Sequence, residues 1–183
     1  MPDLIETTLR SEQILDGKLL KVFRDEVRVP DGSASIREWI DHPGAAAVVP
    51  LFEDGTTLLV RQYRYASRHT FLEVPAGKID YPGEDPEAVA ARELEEETGW
   101  RAARLTALGA LSPCIGYSNE VIHFYLGRRL TRTEQALAEG EFLEVLTMDF
   151  AEAVAMARRG AIKDMKTVAA LCLAEAHLAT HPF

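Results

Sequence analysis

Basic residues, cysteine and long apolar runs are what this sequence of 183 residues has little of. Its 20 lysines and arginines are outnumbered by 29 aspartates and glutamates, and the formal net charge of -9 argues against a nucleic-acid groove. Two cysteines are too few for a disulfide scaffold or a cysteine-built zinc site. No stretch reaches the ~20 apolar residues that cross a bilayer, and the first residues lack the basic start and apolar core of a secretion signal. We therefore expect a cytoplasmic protein that binds neither membrane nor nucleic acid.

The order of sequence patterns predicts strands mixed with helices. Residues 17–40 are expected to form short strands with a turn at Pro30-Asp31-Gly32, and Glu53-Asp54-Gly55-Thr56 a hairpin turn, because Asp-Gly tolerates positive φ. Further strands are expected over residues 45–52, 57–63, 70–74, 104–111, 121–126 and 142–146. Helices are expected over 85–99, from Asp149 to near Gly160, and from Asp164 to Ala179, the last with Val168, Leu171, Cys172 and Leu178 inward. Together these elements predict an α+β domain, a mixed sheet with helices packed on it.

The most informative segment is the helix that Asp85 caps and Gly99 ends. Glu93 and Glu97 are four residues apart and therefore share one face, which Glu96 flanks. Like charges at this spacing repel each other, so the face is either solvated or occupied by a cation. Carboxylate oxygens are hard ligands that suit Mg²⁺ or Mn²⁺. A bound cation would also let a chain of net charge -9 accept an anionic substrate.

The loop before this helix extends the pattern. Gly77 is followed after six residues by Glu84, and after seven more by R-E-U-x-E-E-x-G-U with U bulky and apolar, here Arg92 to Trp100. This arrangement resembles the Nudix box, the loop–helix signature of hydrolases that act on nucleoside diphosphates linked to another moiety. The family pattern has five residues between glycine and glutamate. The extra residue falls near Tyr81-Pro82 and leaves the helical spacing intact.

Matches outside the box resemble the ADP-ribose pyrophosphatase branch of that family. They are Arg37-Glu38-Trp39, His42-Pro43-Gly44, Arg61-Gln62-Tyr63-Arg64, the run from Leu72 to Gly77, Ser112-Pro113 and Ser118-Asn119-Glu120. The resemblance implies a Nudix-type α/β/α sandwich with an N-terminal β arm. It also implies a homodimer, in which residues 1–44 form the arm and dimerisation region and residues 45–183 the Nudix hydrolase domain.

The resemblance further implies a metal-dependent attack of water on a pyrophosphate. Glu93 and Glu97 would coordinate Mg²⁺, or Mn²⁺, beside the main-chain carbonyl of Ala76, and Glu96 would bind a further ion. The metals would neutralise the pyrophosphate and activate water. Arg92 is expected to orient a ligand by pairing with Glu96 or with the glutamate of the loop. The alternative for Arg92 is an ordinary surface ion pair.

In this branch the general base comes from an acidic loop before a late strand. That position favours Glu139 first and Glu141 second, with a glycine between them that permits the loop to close over substrate. One alternative is a solvated acidic loop without a catalytic role. Another is a base within the box, Glu96 or Glu97.

Two arginines and one more glutamate are implied to bind substrate. Arg37 and Arg64 resemble the substrate arginines of the branch, whose planar guanidinium suits phosphate, although an exposed solubilising arginine is the alternative. Glu73 is expected near the metals or the terminal ribose, with a strand-edge charge as an equal alternative. The basic residues near the C-terminus, Arg158, Arg159, Lys163 and Lys166, are interpreted as a solvated helix end.

Three functions remain open at this point. The first is Mg²⁺-dependent hydrolysis of ADP-ribose to AMP and ribose 5-phosphate. The second is hydrolysis of another nucleoside diphosphate sugar, such as GDP-mannose, which would use the same metal ligands. The third is a catalytically silent nucleotide-binding module. All four glutamates of the box are present, which counts against a catalytically silent module.

Overall fold

The computed structural model describes residues 4–181 and separates into two compact units. The first unit joins Met1–Pro43 with Cys114–Glu120, and the second joins Gly44–Pro113 with Val121–Phe183. Residues 1–3 and 182–183, which the two predicted domains include, lie outside the described residues. The domain assignment, including a role of residues 1–44 in dimerisation, stays a prediction. No helix within residues 4–181 is long and apolar enough to cross a membrane.

The first unit contains a three-stranded antiparallel sheet in the order β1-β2-β3. The strands are β1 (Thr7–Asp16), β2 (Lys21–Arg28) and β3 (Ala34–Asp41). The predicted turn between the second and third strands is confirmed, with Gly32 at a φ of 89°. The sequence patterns missed β1. All of its residues are exposed, so no buried face imposes an apolar alternation on it.

The second unit contains two sheets and three helices. Its strands are β4 (Ala45–Pro50), β5 (Thr56–Arg64), β6 (His69–Glu73), β7 (Ala76–Lys78), β8 (Trp100–Leu111), β9 (Ile122–Arg132) and β10 (Leu143–Asp149). Its helices are α1 (Pro86–Thr98), α2 (Phe150–Arg158) and α3 (Met165–Thr180). One sheet has the order β7-β4-β9-β8 and is mixed, because β4 and β9 are parallel; the other, β10-β5-β6, is antiparallel.

Strand β4 divides the second unit into layers. Its side chains alternate between two buried clusters, as the two-residue period of a strand requires. Ala46 and Val48 belong to the same cluster as Leu94 of α1, whereas Val49 belongs to the cluster of Leu171 in α3. A helix therefore covers each face of the mixed sheet, and the predicted α/β/α sandwich is confirmed for this unit.

Two local predictions differ from the structure. The turn at residues 53–56 is present, with Gly55 at a φ of 84°, but the strand that follows it does not pair along β4. Apart from one bridge between Leu51 and Thr57, β5 pairs with β6 and β10, so the turn connects two sheets. Cys172 was expected to face inward and is exposed. The inner face of α3 is instead carried by Thr167, Ala170, Leu171 and Ala174.

Candidate active site

Helix α1 presents two glutamates to the short strand β7, which carries Ala76 and Gly77. The helix begins and ends where predicted, because Asp85 accepts a hydrogen bond from the Glu87 amide and Gly99 adopts a left-handed φ of 68°. Leu94 is fully buried and fixes the rotation of the helix, so Glu97 points inward and is 7% exposed. The main-chain amide of Ala76 donates to Glu97 Oε2 at 3.1 Å. The loop and the helix are thus joined at the glutamate expected to bind metal.

The second glutamate of this face, Glu93, lies against the backbone of Gly77. A Cβ placed on Gly77 would come 2.0 Å from both Cδ and Oε1 of Glu93, closer than real atoms approach. Only glycine allows the loop to approach the carboxylate this closely. This close approach explains why the first position of the sequence motif is a glycine.

The electrostatic environment of Glu93 and Glu97 favours the binding of a cation. Burial raises the pKa of Glu93 from 4.5 to about 7, and Glu96 and Glu141 raise it further against the opposing Arg92. Burial likewise raises the pKa of Glu97 from 4.5 to about 8, reinforced by Glu93, while the Ala76 amide lowers it. Two neighbouring carboxyls that resist losing their protons would be stabilised in the charged form by a cation between them.

Arg92 stands at the centre of the remaining acidic groups of the motif. Its Nη1 donates to Glu93 Oε1 at 2.7 Å and lies 3.5 Å from Glu96 Oε2, while Nη2 lies 3.1 Å from Asp80 and 3.7 Å from Glu84. Burial lowers the pKa of Arg92, but the four carboxylates outweigh it and raise the pKa overall. Both predicted pairings of Arg92, with Glu96 and with Glu84, are therefore present. The contacts with Glu93 and Asp80 are additional.

The donor atoms of this face fit a divalent cation of the hard class. They are the carboxylate oxygens of Glu93 and Glu97. The amide of Ala76, which donates to Glu97, brings the main chain of that residue next to them. Within residues 4–181, no three histidine, cysteine or acidic side chains already converge in ligand geometry. Glu93 and Glu96 instead face Arg92.

A buried ionic cluster lies where β6 ends. Glu73 is 3% exposed, and its Oε1 and Oε2 each accept a hydrogen bond of 2.7 Å from Nε and Nη2 of Arg64. Lys166 Nζ lies 3.2 Å from Glu73 Oε2 and 3.1 Å from Asp164 Oδ2. Glu73 is thus a buried, doubly paired carboxylate at the end of the edge strand β6. A pocket of about 310 Å³ opens beside this cluster, lined in part by Arg64, Glu73, Lys163 and Lys166.

The interpretation of Lys166 as part of a solvated helix end was wrong. Its side chain is 15% exposed and stands in the first turn of α3, not at a helix C-terminus. Its positive charge also acts on the glutamate face of α1, because it partly offsets the rise in the pKa of Glu97. No local pattern in the sequence marks this role, because the contact between Lys166 and Glu73 joins residues 93 positions apart.

The acidic loop before β10 is held against the end of α1. Gln135 Nε2 donates to the Glu97 carbonyl at 2.6 Å, and the Ala136 amide donates to the Glu96 carbonyl at 3.0 Å. Of the two candidate bases, Glu141 raises the pKa of both Glu93 and Glu97 by its charge. The side chains of Glu139 and Glu141 are both exposed. Gln135, which positions this loop, was missed by the sequence patterns.

Arg37 belongs to the first unit. Its Nε donates to Glu6 Oε2 at 2.8 Å, and its Nη1 donates to the Ser35 hydroxyl at 2.9 Å. The pairing with Glu6 raises the pKa of Arg37, so the guanidinium is charged at any physiological pH. The residue lies on β3, next to the pair of Arg24 and Glu38.

Family models match both parts of the chain. The model described as NUDIX domain matches residues 41–171, and the one described as nucleoside diphosphate sugar hydrolase N-terminal domain matches residues 6–40. The chain therefore belongs to the Nudix family, as the glutamate-rich helix and its glycine loop predicted. Members of this family generally need a divalent metal ion.

Individual proteins are similar over nearly the whole chain. An ADP-ribose pyrophosphatase of Bacillus subtilis (strain 168) is 38% identical over 173 residues, 93% of each chain. A methanol dehydrogenase activator of Bacillus methanolicus is 38% identical over 168 residues, 91% of this chain and 90% of that one. A GDP-mannose pyrophosphatase of Yersinia enterocolitica is 34% identical over 153 residues, 78% of each chain. The solved structure of an ADP compounds hydrolase superposes with a TM-score of 0.84 at 25% identity, covering 97% of this chain and 96% of that one.

Proposed function

We propose that this protein hydrolyses the pyrophosphate bond of ADP-ribose in a Mg²⁺-dependent reaction, releasing AMP and ribose 5-phosphate. The observation that carries the proposal is the pair of inward glutamates, Glu93 and Glu97, on a helix that meets a glycine loop. The name of the Bacillus subtilis relative supports the choice of substrate. The free thiols Cys114 and Cys172 agree with the cytoplasm as the proposed location.

The metal assignment keeps the ligands that the box implies. Glu93, Glu97 and the carbonyl of Ala76 would hold Mg²⁺, and Glu96, whose side chain is 44% exposed, would bind a further ion from the open side. When bound, the ions neutralise the pyrophosphate and lower the pKa of water. Arg92 holds Glu93 and Glu96 in place, so its role in this proposal is to orient ligands.

Glu141 is the proposed general base. Its charge raises the pKa of both helix glutamates, which supports its placement close to the reacting water. In the proposed step the carboxylate takes a proton from water, the water oxygen forms a bond to one phosphorus, and the bridging P–O bond breaks. Glu139, which its position in the loop favoured first, is the alternative base, and Gly140 lies between the two at a φ of 84°.

Arg64, Glu73 and Arg37 are the proposed substrate-binding residues. The guanidinium of Arg64 lines the pocket of about 310 Å³ and offers a planar fork to phosphate oxygens. Glu73 holds that fork in one orientation through two hydrogen bonds. Arg37 keeps its charge through the pair with Glu6 and is proposed to bind substrate.

A panel of nucleoside diphosphate derivatives tests the substrate. Purified protein with Mg²⁺ is offered ADP-ribose, GDP-mannose and other nucleoside diphosphate sugars, and the release of nucleoside monophosphate and sugar phosphate is measured. The proposal requires ADP-ribose to give the highest kcat/KM. The Yersinia relative supports GDP-mannose as the second candidate. The absence of turnover with every compound would favour a silent binding module.

The first unit supports the proposal of a homodimer. Its sheet and adjoining loops expose apolar side chains that are between 40% and 61% accessible, namely Leu9, Ile14, Leu15, Leu19 and Ile36. Exposed apolar surface of this kind marks interaction sites, and a second copy of the chain is the partner we propose. Light scattering should give a dimer mass for the native chain and a monomer mass for Leu9→Asp. Gln13→Asp, which adds the same charge on the same strand, is the matched control.

A further inference from the structure

The first turn of α3 holds the strand end that leads into the glycine loop. Lys166 Nζ lies 3.2 Å from Glu73 Oε2 and 3.1 Å from Asp164 Oδ2. The next residue, Thr167, accepts a hydrogen bond of 2.8 Å from the Val74 amide and donates one to Asp164. Lys166 and Thr167 of α3 therefore bind two consecutive residues, Glu73 at the end of β6 and Val74 directly after it.

Glu73 is held from two sides by two different cations. Arg64 occupies both carboxylate oxygens from the side of the pocket, and its side chain is 46% exposed. Lys166 reaches Oε2 with a side chain that is only 15% exposed. A carboxylate that is 3% exposed is costly to leave without partners, so its orientation follows those that remain paired with it.

We propose that Lys166 is a positioning residue for substrate binding. By pairing with Oε2 of Glu73 through a side chain that is only 15% exposed, it holds both carboxylate oxygens towards Nε and Nη2 of Arg64. This bidentate pair fixes the plane of the guanidinium, and because Arg64 lines the pocket, its remaining donors bind a phosphate of the substrate there. The inference rests on the proposed function in one respect: it takes the anion bound by Arg64 to be a phosphate of the substrate.

Steady-state kinetics separate positioning from a structural role. Lys166→Met keeps the length of the side chain and removes its charge, and it should raise the KM for ADP-ribose roughly tenfold with kcat within about threefold of the native value. Lys166→Arg should restore most of the KM, because it keeps a donor to Glu73. A fall in kcat and in melting temperature with an unchanged KM would overturn the proposal.

A double-mutant cycle tests whether Lys166 acts through Arg64. In a background of Arg64→Met, the change Lys166→Met should alter KM less than about twofold, because the residue it positions is already gone. Lys163→Met is the matched control, since Lys163 is an exposed lysine that lines the same pocket. Its effect should add to that of Arg64→Met. Additive behaviour of Lys166→Met would refute the indirect role.

An NMR measurement makes the test independent of turnover. The Nε proton of Arg64, identified by its loss in Arg64→Met, should exchange slowly with solvent in the native protein because Glu73 accepts it. Exchange should accelerate in Lys166→Met and remain slow in Lys166→Arg. If Lys166→Met fails to fold, Lys166→Gln gives the same readout. Slow exchange in every variant refutes positioning, whereas absent turnover with the expected exchange pattern refutes the proposed function alone.

Discussion

The backbone of Gly77 and the carboxylate of Glu93 are in direct contact, so that a Cβ on Gly77 would lie 2.0 Å from Glu93 Oε1. Gly77→Ala should therefore push the Glu93 carboxylate from its position while the remaining structure folds. A displacement of this size in a catalytic group costs roughly 100-fold in rate, and we expect at least this loss in kcat/KM. Gly116→Ala is the control for folding, because a Cβ there meets nothing within 4 Å. Native kcat/KM in Gly77→Ala would disprove the close contact.

Glu97→Gln should abolish most turnover without unfolding the protein. The amide keeps the volume of the side chain and can still accept from the Ala76 amide, but it loses the charge that would bind a cation. The loss should exceed the ~10–100-fold that removal of an outer partner of a metal ligand typically costs. Glu95→Gln, on the same helix but paired with Arg101 at the surface, is the matched control. Full activity of Glu97→Gln would refute the metal assignment.

The stability of the metal-free protein should decrease as the pH rises. The folded-state pKa values of Glu93 and Glu97 are raised from 4.5 to about 7 and about 8, so the folded chain binds more protons than the unfolded chain between these limits. Their contribution is complete below pH ~4.5 and is lost as the pH passes through ~7 to ~8. We expect the melting temperature in chelator to fall from pH 5 to pH 9, and the slope to be smaller in Glu97→Gln.

Millimolar Mg²⁺ should raise the melting temperature most at the alkaline end of this range, since the ion binds the deprotonated carboxylates. Equal slopes in the native chain and Glu97→Gln, or no effect of Mg²⁺ at pH 8, would contradict the burial of a repelling pair.

The two acidic loop residues provide a paired test of the general base. Glu141→Gln should lower kcat by ~100-fold or more with little change in substrate affinity, as expected for the loss of a general base. Glu139→Gln, two residues away, should retain most of the native kcat, because the charge of Glu141 and not that of Glu139 acts on Glu93 and Glu97. The reverse result would assign the base to Glu139. If both variants keep native kcat, the general base would instead be one of the helix glutamates, Glu96 or Glu97.

Thr167→Val should destabilise the protein by about 1–3 kcal/mol, because it leaves the buried Val74 amide without an acceptor. Thr167→Ser keeps the hydroxyl and is the control. Chemical denaturation measures the difference. Equal stability of the two variants would show that the hydrogen bond contributes little.

The helix of the candidate site was predictable from the sequence because its determinants are local. The cap at Asp85, the left-handed Gly99 and the four-residue spacing of Glu93 and Glu97 all lie within one short segment. Side chains three or four positions apart share a helix face whatever the rest of the chain does. The same holds for the turns at Gly32 and Gly55, where the backbone φ selects the residue.

The tertiary structure alone decided which distant groups complete this face. Lys166 reaches Glu73 across 93 positions of sequence, and Gln135 reaches the Glu97 carbonyl across 38. Likewise, only the packing of two sheets separated β5 from β4, although a turn joins them. Such contacts depend on where α3 and β10 pack, and no local periodicity encodes that. The sequence thus determined the chemistry that the glutamate helix offers, whereas the fold determined which cations and acids face it.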